Sequence, residues 1–115
     1  MNIEQFREFC INKNYVTEEF PFDNDTLVFK VKGKMFALIS ISNPHTINLK
    51  CNPDVAIELR ERYSDVIPGY HMNKKLWNTV AIESSQYNDN AVKQWIDNSY
   101  YLVVKSMPKK IQAEF

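Results

Sequence analysis

A chain of 115 residues with 44% hydrophobic and 13% aromatic side chains has the size of one globular domain, residues 1 to 115, and can bury a core without staples. Its formal net charge is zero and its pI is near 6.7, which excludes a protein that coats nucleic acid indiscriminately through bulk positive charge. Cys10 and Cys51 lack a CxxC spacing and a secretory leader and so point to a reduced cytoplasm, and no apolar run is long enough to span a bilayer.

In chain order, the spacing of Ile3, Phe6, Phe9 and Cys10 predicts a helix from Ile3 to about Lys13, with Asn2 as its cap and Gln5 three residues on. Tyr15 to Phe22 is aromatic and β-branched but contains Pro21, so it is read as a short edge strand. Thr26 to Val31 and Met35 to Ile41 flank Lys32-Gly33-Lys34, where glycine supplies positive φ for a tight turn, and form a hairpin. Thr46 to Lys50 alternates, with Ile47 and Leu49 inward and Thr46, Asn48 and Lys50 outward, so one sheet face is expected to be wet. Asn52-Pro53-Asp54 starts a second helix that runs to about Tyr63 and buries Val55, Ala56, Leu59 and Tyr63, while Glu58, Glu61 and Arg62 face water. Val66 to Tyr70 is an extended piece and a turn, Trp77 to Ile82 a strand, and a basic run joins them. The last helix starts near Asn88 or Asp89 and presents Val92, Trp95, Ile96, Ser99, Leu102 and Val103 before Pro108 stops it. On its stripe Ser99 allows close approach to the sheet, and Tyr100 and Tyr101 straddle the rim. This order implies an α+β fold, an antiparallel sheet with helices packed on one face.

Positive charge is local. Residues 1 to 29 carry six acids and two bases, whereas 30 to 52 carry Lys30, Lys32, Lys34 and Lys50 and no acid, and 71 to 82 carry only Lys74 and Lys75. Both stretches fall on hairpins. In the run Pro68 to Val80, lysines suit phosphates, Asn73 suits a base edge, and the Trp77 indole and His71 suit stacking or edge contacts. The bland alternatives are a solvated turn before a core tryptophan, and lysines that protect sheet edges from aggregation. The sharper reading needs both turns to project from one side.

Signals for chemistry are thin. His71 titrates near neutrality and could serve an acid/base site with Tyr70 or Lys50, but no nucleophile elbow or phosphate-binding glycine loop accompanies it. His45 follows Pro44 in a turn. Glu18, Glu19, Asp23 and Asp25 could gather a divalent cation, yet their spacing does not match a calcium loop. No catalytic residue, metal or cofactor is therefore expected.

Phe20-Pro21-Phe22, Phe29-Lys30-Val31 with Gly33-Lys34-Met35-Phe36-Ala37, Leu49-Lys50-Cys51, Pro68-Gly69-Tyr70-His71-Met72-Asn73-Lys74-Lys75 with Trp77, and Ser99-Tyr100 before Leu102-Val103 together resemble the MmcQ/YjbR family of small bacterial proteins, over nearly the whole chain. The resemblance implies a compact fold similar to the frataxin (CyaY-like) arrangement, a double-wing module that binds DNA. Frataxin's iron chemistry does not carry over, because function belongs to sites and the acidic helix ridge is thin here. Leu76 departs from the family pattern, in which histidine precedes the tryptophan, and this counts further against an enzyme. The expectation is a cytoplasmic, monomeric, non-catalytic DNA-binding module using Lys30, Lys32, Lys34, Lys50, His71, Asn73, Lys74, Lys75 and Trp77. The alternative is a domain that binds a small anionic ligand or a protein through the same surface.

Overall fold

The computed structural model describes residues 1–69 and 72–115, and the elements follow the predicted order with small shifts at their ends. They are α1 (Ile3–Ile11), β1 (Val16–Glu19), β2 (Thr26–Val31), β3 (Lys34–Ser40), β4 (Thr46–Lys50), α2 (Pro53–Arg62), β5 (Val66–Pro68), β6 (Trp77–Ala81), α3 (Asp89–Lys105) and α4 (Lys109–Gln112). The one-turn α4, which follows Pro108, has no counterpart in the sequence reading. The strands form one sheet in the order β1-β2-β3-β4-β6-β5, antiparallel at every pairing. The α+β expectation therefore holds.

Local chemistry explains the ends of the elements. Asn2 accepts the Gln5 N–H at 2.8 Å while the Gln5 side chain accepts the Asn2 N–H at 3.0 Å, a reciprocal cap that starts α1. Asn52 and Asn88 cap α2 and α3 through the N–H groups of Asp54 and Ala91. Between β2 and β3 the turn holds Lys32 at φ 47° and Gly33 at φ 84°, a type I′ pair whose twist matches the flanking strands. A lysine is disfavoured there because its Cβ crowds the backbone. Its ammonium lies 4.1 Å from the Tyr15 ring centroid and 3.0 Å from Glu114 Oε1, contacts that offset the cost.

The β2–β3 register slips beside Phe29: Phe29 faces Ala37 but Lys30 faces Met35, so Phe36 is a bulge residue. Phe36 and Ala37 both enter the helix-side core as a result. The β3–β4 register runs only as far as Ala37 and Leu49, and the fully buried Ser99 of α3 bridges the gap beyond it. Its Oγ donates to the Phe36 carbonyl at 2.6 Å and accepts the Lys50 N–H at 2.9 Å. Ser99 thus fastens α3 to the sheet by hydrogen bonds as well as by its small size.

The main core lies between the sheet and α1 and α3, with edge-to-face rings at Phe6–Phe29 (5.5 Å) and Phe36–Tyr100 (5.4 Å). Two expectations change here. Tyr100 is not at the rim but 5% exposed, donating its hydroxyl to the Asn14 carbonyl, and only Tyr101 points outward. Val55 is 40% exposed rather than buried, since α2 lies over β5 at the sheet edge and turns that residue away from the core. The opposite face is not wholly wet either. Val28, Leu38 and Trp77 make a second apolar cluster there, with Met35, Met72 and Leu76 packed on it.

At the far end of the β2–β3 hairpin, the Asp25 carboxylate accepts from Ser40 Oγ (2.6 Å), the Ser42 N–H (2.8 Å) and Ser42 Oγ (3.0 Å). Asp23 accepts the N–H groups of Asp25 and Thr26. These bonds hold both carboxyls below the usual range, chiefly through Ser40 for Asp25 and the Thr26 N–H for Asp23. Glu18 is paired with Arg7 and Glu19 with Lys30, so the four carboxylates weighed for a cation are committed to separate partners. No helix among the described residues is long and apolar enough to cross a membrane.

Two outcomes are expected. Ser99→Ala strands a buried carbonyl and a partly buried N–H and should cost about 2 kcal/mol, read in urea denaturation as a lower midpoint at unchanged slope. For Asp25, a depressed folded-state pKa means stability that is present above the ordinary value of 3.8 and lost as pH falls through the folded value. Asp25→Asn should therefore lower Tm at pH 7, and the gap to wild type should close in acid below that value.

Candidate functional site

Gly69 and residues 72 to 77 are held by close contacts. The Gly69 N–H donates to the Trp77 carbonyl at 2.8 Å, and a Cβ on Gly69 would lie 2.8 Å from the Trp77 Cβ, so only glycine lets the chain pass. Asn73 builds the turn beyond. Its side chain accepts the Lys75 N–H at 3.0 Å and its carbonyl accepts the N–H groups of Leu76 and Trp77. The Leu76 carbonyl takes the Cys51 N–H at 2.7 Å, which fastens the turn to the end of β4.

From α2, Arg60 reaches under this turn. Its Nε donates to Asn78 Oδ1 at 2.6 Å, and Nη2 donates to the carbonyls of Trp77 (3.2 Å) and Lys74. Asn78, nearly inaccessible to solvent, gives its Nδ2 to the Ala56 carbonyl at 3.4 Å. No sequence signal marks Arg60 for this role. It reads as one more charge on a helix, and its partners are carbonyls that any sequence would supply.

The strand register gives the relative placement of the two basic turns. β3 starts at Lys34, β4 ends at Lys50 opposite Trp77, and β6 starts at Trp77, so the turn at Lys32-Gly33 and the turn at 72–76 lie at the same end of the sheet. The steps from β3 to β4 to β6 separate them by roughly 10 Å. Lys34, Lys74 and Lys75 are exposed there and hold no ion pair among the described residues. The others differ. Lys30 is paired with Glu19 at 2.8 Å, Lys32 with Glu114, and Lys50 is half-buried beside Ser99. Trp77 is 6% exposed and packs on Val28 and Leu38, so its ring face is spent on the second apolar cluster and is not open for stacking. His71, with Tyr70, lies outside the described residues.

Beside that cluster the open face carries a groove of about 700 Å³. Met35 and Leu38 line its floor, the loop bearing Phe22 one wall, and Met72 and Asn73 the other. Phe22 is 63% exposed, far more than an isolated packing role requires. Asn48 also lines the groove. Its Oδ1 accepts the Thr79 hydroxyl at 2.6 Å, which leaves its Nδ2 hydrogens without a partner among the described residues. An apolar floor with amide edges, and the exposed Lys74 and Lys75 next to Asn73 in the wall, can hold a flat molecule with an anionic group. The sequence reading did not single out Phe22, Met35, Leu38 or Asn48 as site residues. The available signals were the outward phase of Asn48 in β4 and the aromatic pair around Pro21.

Comparison with known proteins places the architecture. The YjbR family model matches residues 11–102. Over 111 residues the chain is 30% identical to protein YjbR of Escherichia coli K12, covering 96% of this chain and 93% of that one, and over 110 residues it is 32% identical to protein YbdF of Escherichia coli O157:H7, covering 95% and 89%. Both relatives are described as uncharacterised. A crystal structure of a Deinococcus radiodurans protein with a DUF419 domain superposes with a TM-score of 0.91 at 35% identity, covering 98% of this chain and 86% of that one. A Pseudomonas syringae protein of 27% identity superposes with a TM-score of 0.73, covering 89% and 98%. The chain belongs to the YjbR family.

Proposed function

We propose that the protein is a non-catalytic binding module that holds a small anionic ligand with a flat body in the groove on its open sheet face. The observation that carries this reading is an apolar groove whose wall residues Met72 and Asn73 belong to the same turn as the exposed Lys74 and Lys75, which hold no ion pair among the described residues. The anionic group sits at the lysine end as a point-charge partner, and the flat body rests over Met35 and Leu38 beside Phe22. Asn48 and Asn73 supply edge contacts.

The nucleic-acid reading keeps the same cations, because both basic turns occupy one end of the sheet. It loses its stacking ring to the second cluster and Lys30 and Lys32 to ion pairs. Duplex DNA is therefore the competing arm of the test.

A thermal-shift screen with nucleoside phosphates, organic phosphates and duplex DNA separates the arms. One class of small phosphate should raise Tm in a saturable way, and Lys74→Gln/Lys75→Gln should weaken it about tenfold. If no small phosphate stabilises the protein, or if the double variant binds as wild type does, the proposal is wrong. DNA affinity whose log-log salt slope falls by about 0.9 per lysine removed would transfer the site to nucleic acid. Arg60→Ala, which touches no ligand, should lower stability by about 1–3 kcal/mol and weaken the same phosphate by releasing the turn.

A further inference from the structure

On the helix side, α3 lies over β3 and β4 while α2 lies over β5, so the seam between β4 and β6 is roofed by neither. A cleft of about 180 Å³ opens there. Leu49 and Val80 line its floor, Val55 and Leu59 the α2 side, and Trp95 and Leu102 the α3 side. Several of these large apolar side chains remain partly exposed, Val55 at 40%, although the main core lies next to them. Folding has left apolar surface facing a gap.

The cleft is also dry in character. Its most buried polar group, Asn78, has Oδ1 engaged by Arg60 and one Nδ2 hydrogen directed at the Ala56 carbonyl, so its amide is already held by the protein. Among the described residues Lys50 is the only charged one that lines it. Apolar cavities of about 150 Å³ elsewhere stay empty of water and take up benzene, so this volume matches a molecule of one or two rings. A phosphate would lose its hydration there without a paired cation.

We infer that the cleft between α2 and α3 is a second binding site, which takes a small uncharged aromatic molecule of one or two rings. It is separate from the groove on the open face in ligand chemistry and in position. Cys51 lines it and offers a reporter, because it is partly accessible while Cys10 is fully buried.

The test follows alkylation of Cys51 by iodoacetamide in the native protein, with indole and benzene as probes. At ten times its Kd, indole should slow the reaction about tenfold and raise Tm, with little dependence on salt. Val55→Trp fills the cleft from its exposed lip and should abolish protection, and Asn98→Trp does so from the α3 side should the first variant fold poorly. Lys74→Gln/Lys75→Gln should leave protection intact, so this site can fail or stand independently of the phosphate groove. An unchanged alkylation rate with both probes, equal protection in a folded cleft-filling variant, or protection by inorganic phosphate would overturn the inference.

Discussion

One guanidinium ties the two sides of this molecule together. Arg60 stands on α2, yet its donors end on Asn78 in β6 and on the carbonyls of Trp77 and Lys74. A planar fork serves these three acceptors from two nitrogens in fixed directions, whereas a lysine in its place would have to reach all three from one nitrogen. The position of the turn that carries Lys74 and Lys75 follows from Arg60, from the Asn73 turn, from the Leu76 carbonyl bond to the Cys51 N–H and from the Gly69 contact with Trp77. Without the guanidinium, Asn78 Oδ1 would be buried and unpaired, and the floor of the helix-side cleft would loosen together with the basic turn.

The centre of the sheet is covered on both faces, which is unusual for an antiparallel sheet with helices on one side only. Leu27, Val28 and Phe29 are all buried, as are Phe36 to Ile39, because alternate residues feed two different clusters. The bulge at Phe36 makes this possible. It sends two consecutive residues of β3 inward and restores the outward phase at Leu38, under the side chains of Met72 and Leu76. Ser99 then satisfies backbone groups that the bulge takes off the ladder. The open groove begins where this outer cover stops.

Much of the scaffold was legible in the sequence because local chemistry decides it. The Asn2 and Asn52 caps, the glycine turn at residue 33 and the alternation of Thr46 to Lys50 each act within a few residues, and each matches the structure. The YjbR motifs carried the fold class in the same way. What failed was long-range. The phase of Trp77 in β6 correctly opposes Asn78 and Val80, but nothing local says that Met72 and Leu76 fold back to help cover the indole. Lys32 meets Glu114 across most of the chain, and Arg60 finds carbonyls that sequence cannot distinguish from any others. Charge counting likewise treats Lys30 and Lys34 alike, although one is paired and the other is not.

Magnitude favours a small ligand over a polymer at the basic end. Proteins that hold duplex DNA strongly neutralise six to ten phosphates, and the resulting counterion release supplies most of their affinity. Here the cations of the two turns that hold no ion pair among the described residues are Lys34, Lys74 and Lys75, within a chain of zero net charge. Their field decays within a Debye length of about 8 Å at physiological salt, a distance shorter than the roughly 10 Å that separates the turns. Attraction of that range acts on a ligand already seated in the groove rather than steering a rod from solution. An anionic group that enters among these lysines gains most when an attached flat body can also bury itself on Met35 and Leu38. On the proposed reading, the neutral net charge and the local basic cluster serve one requirement, to hold a small anion without collecting long ones.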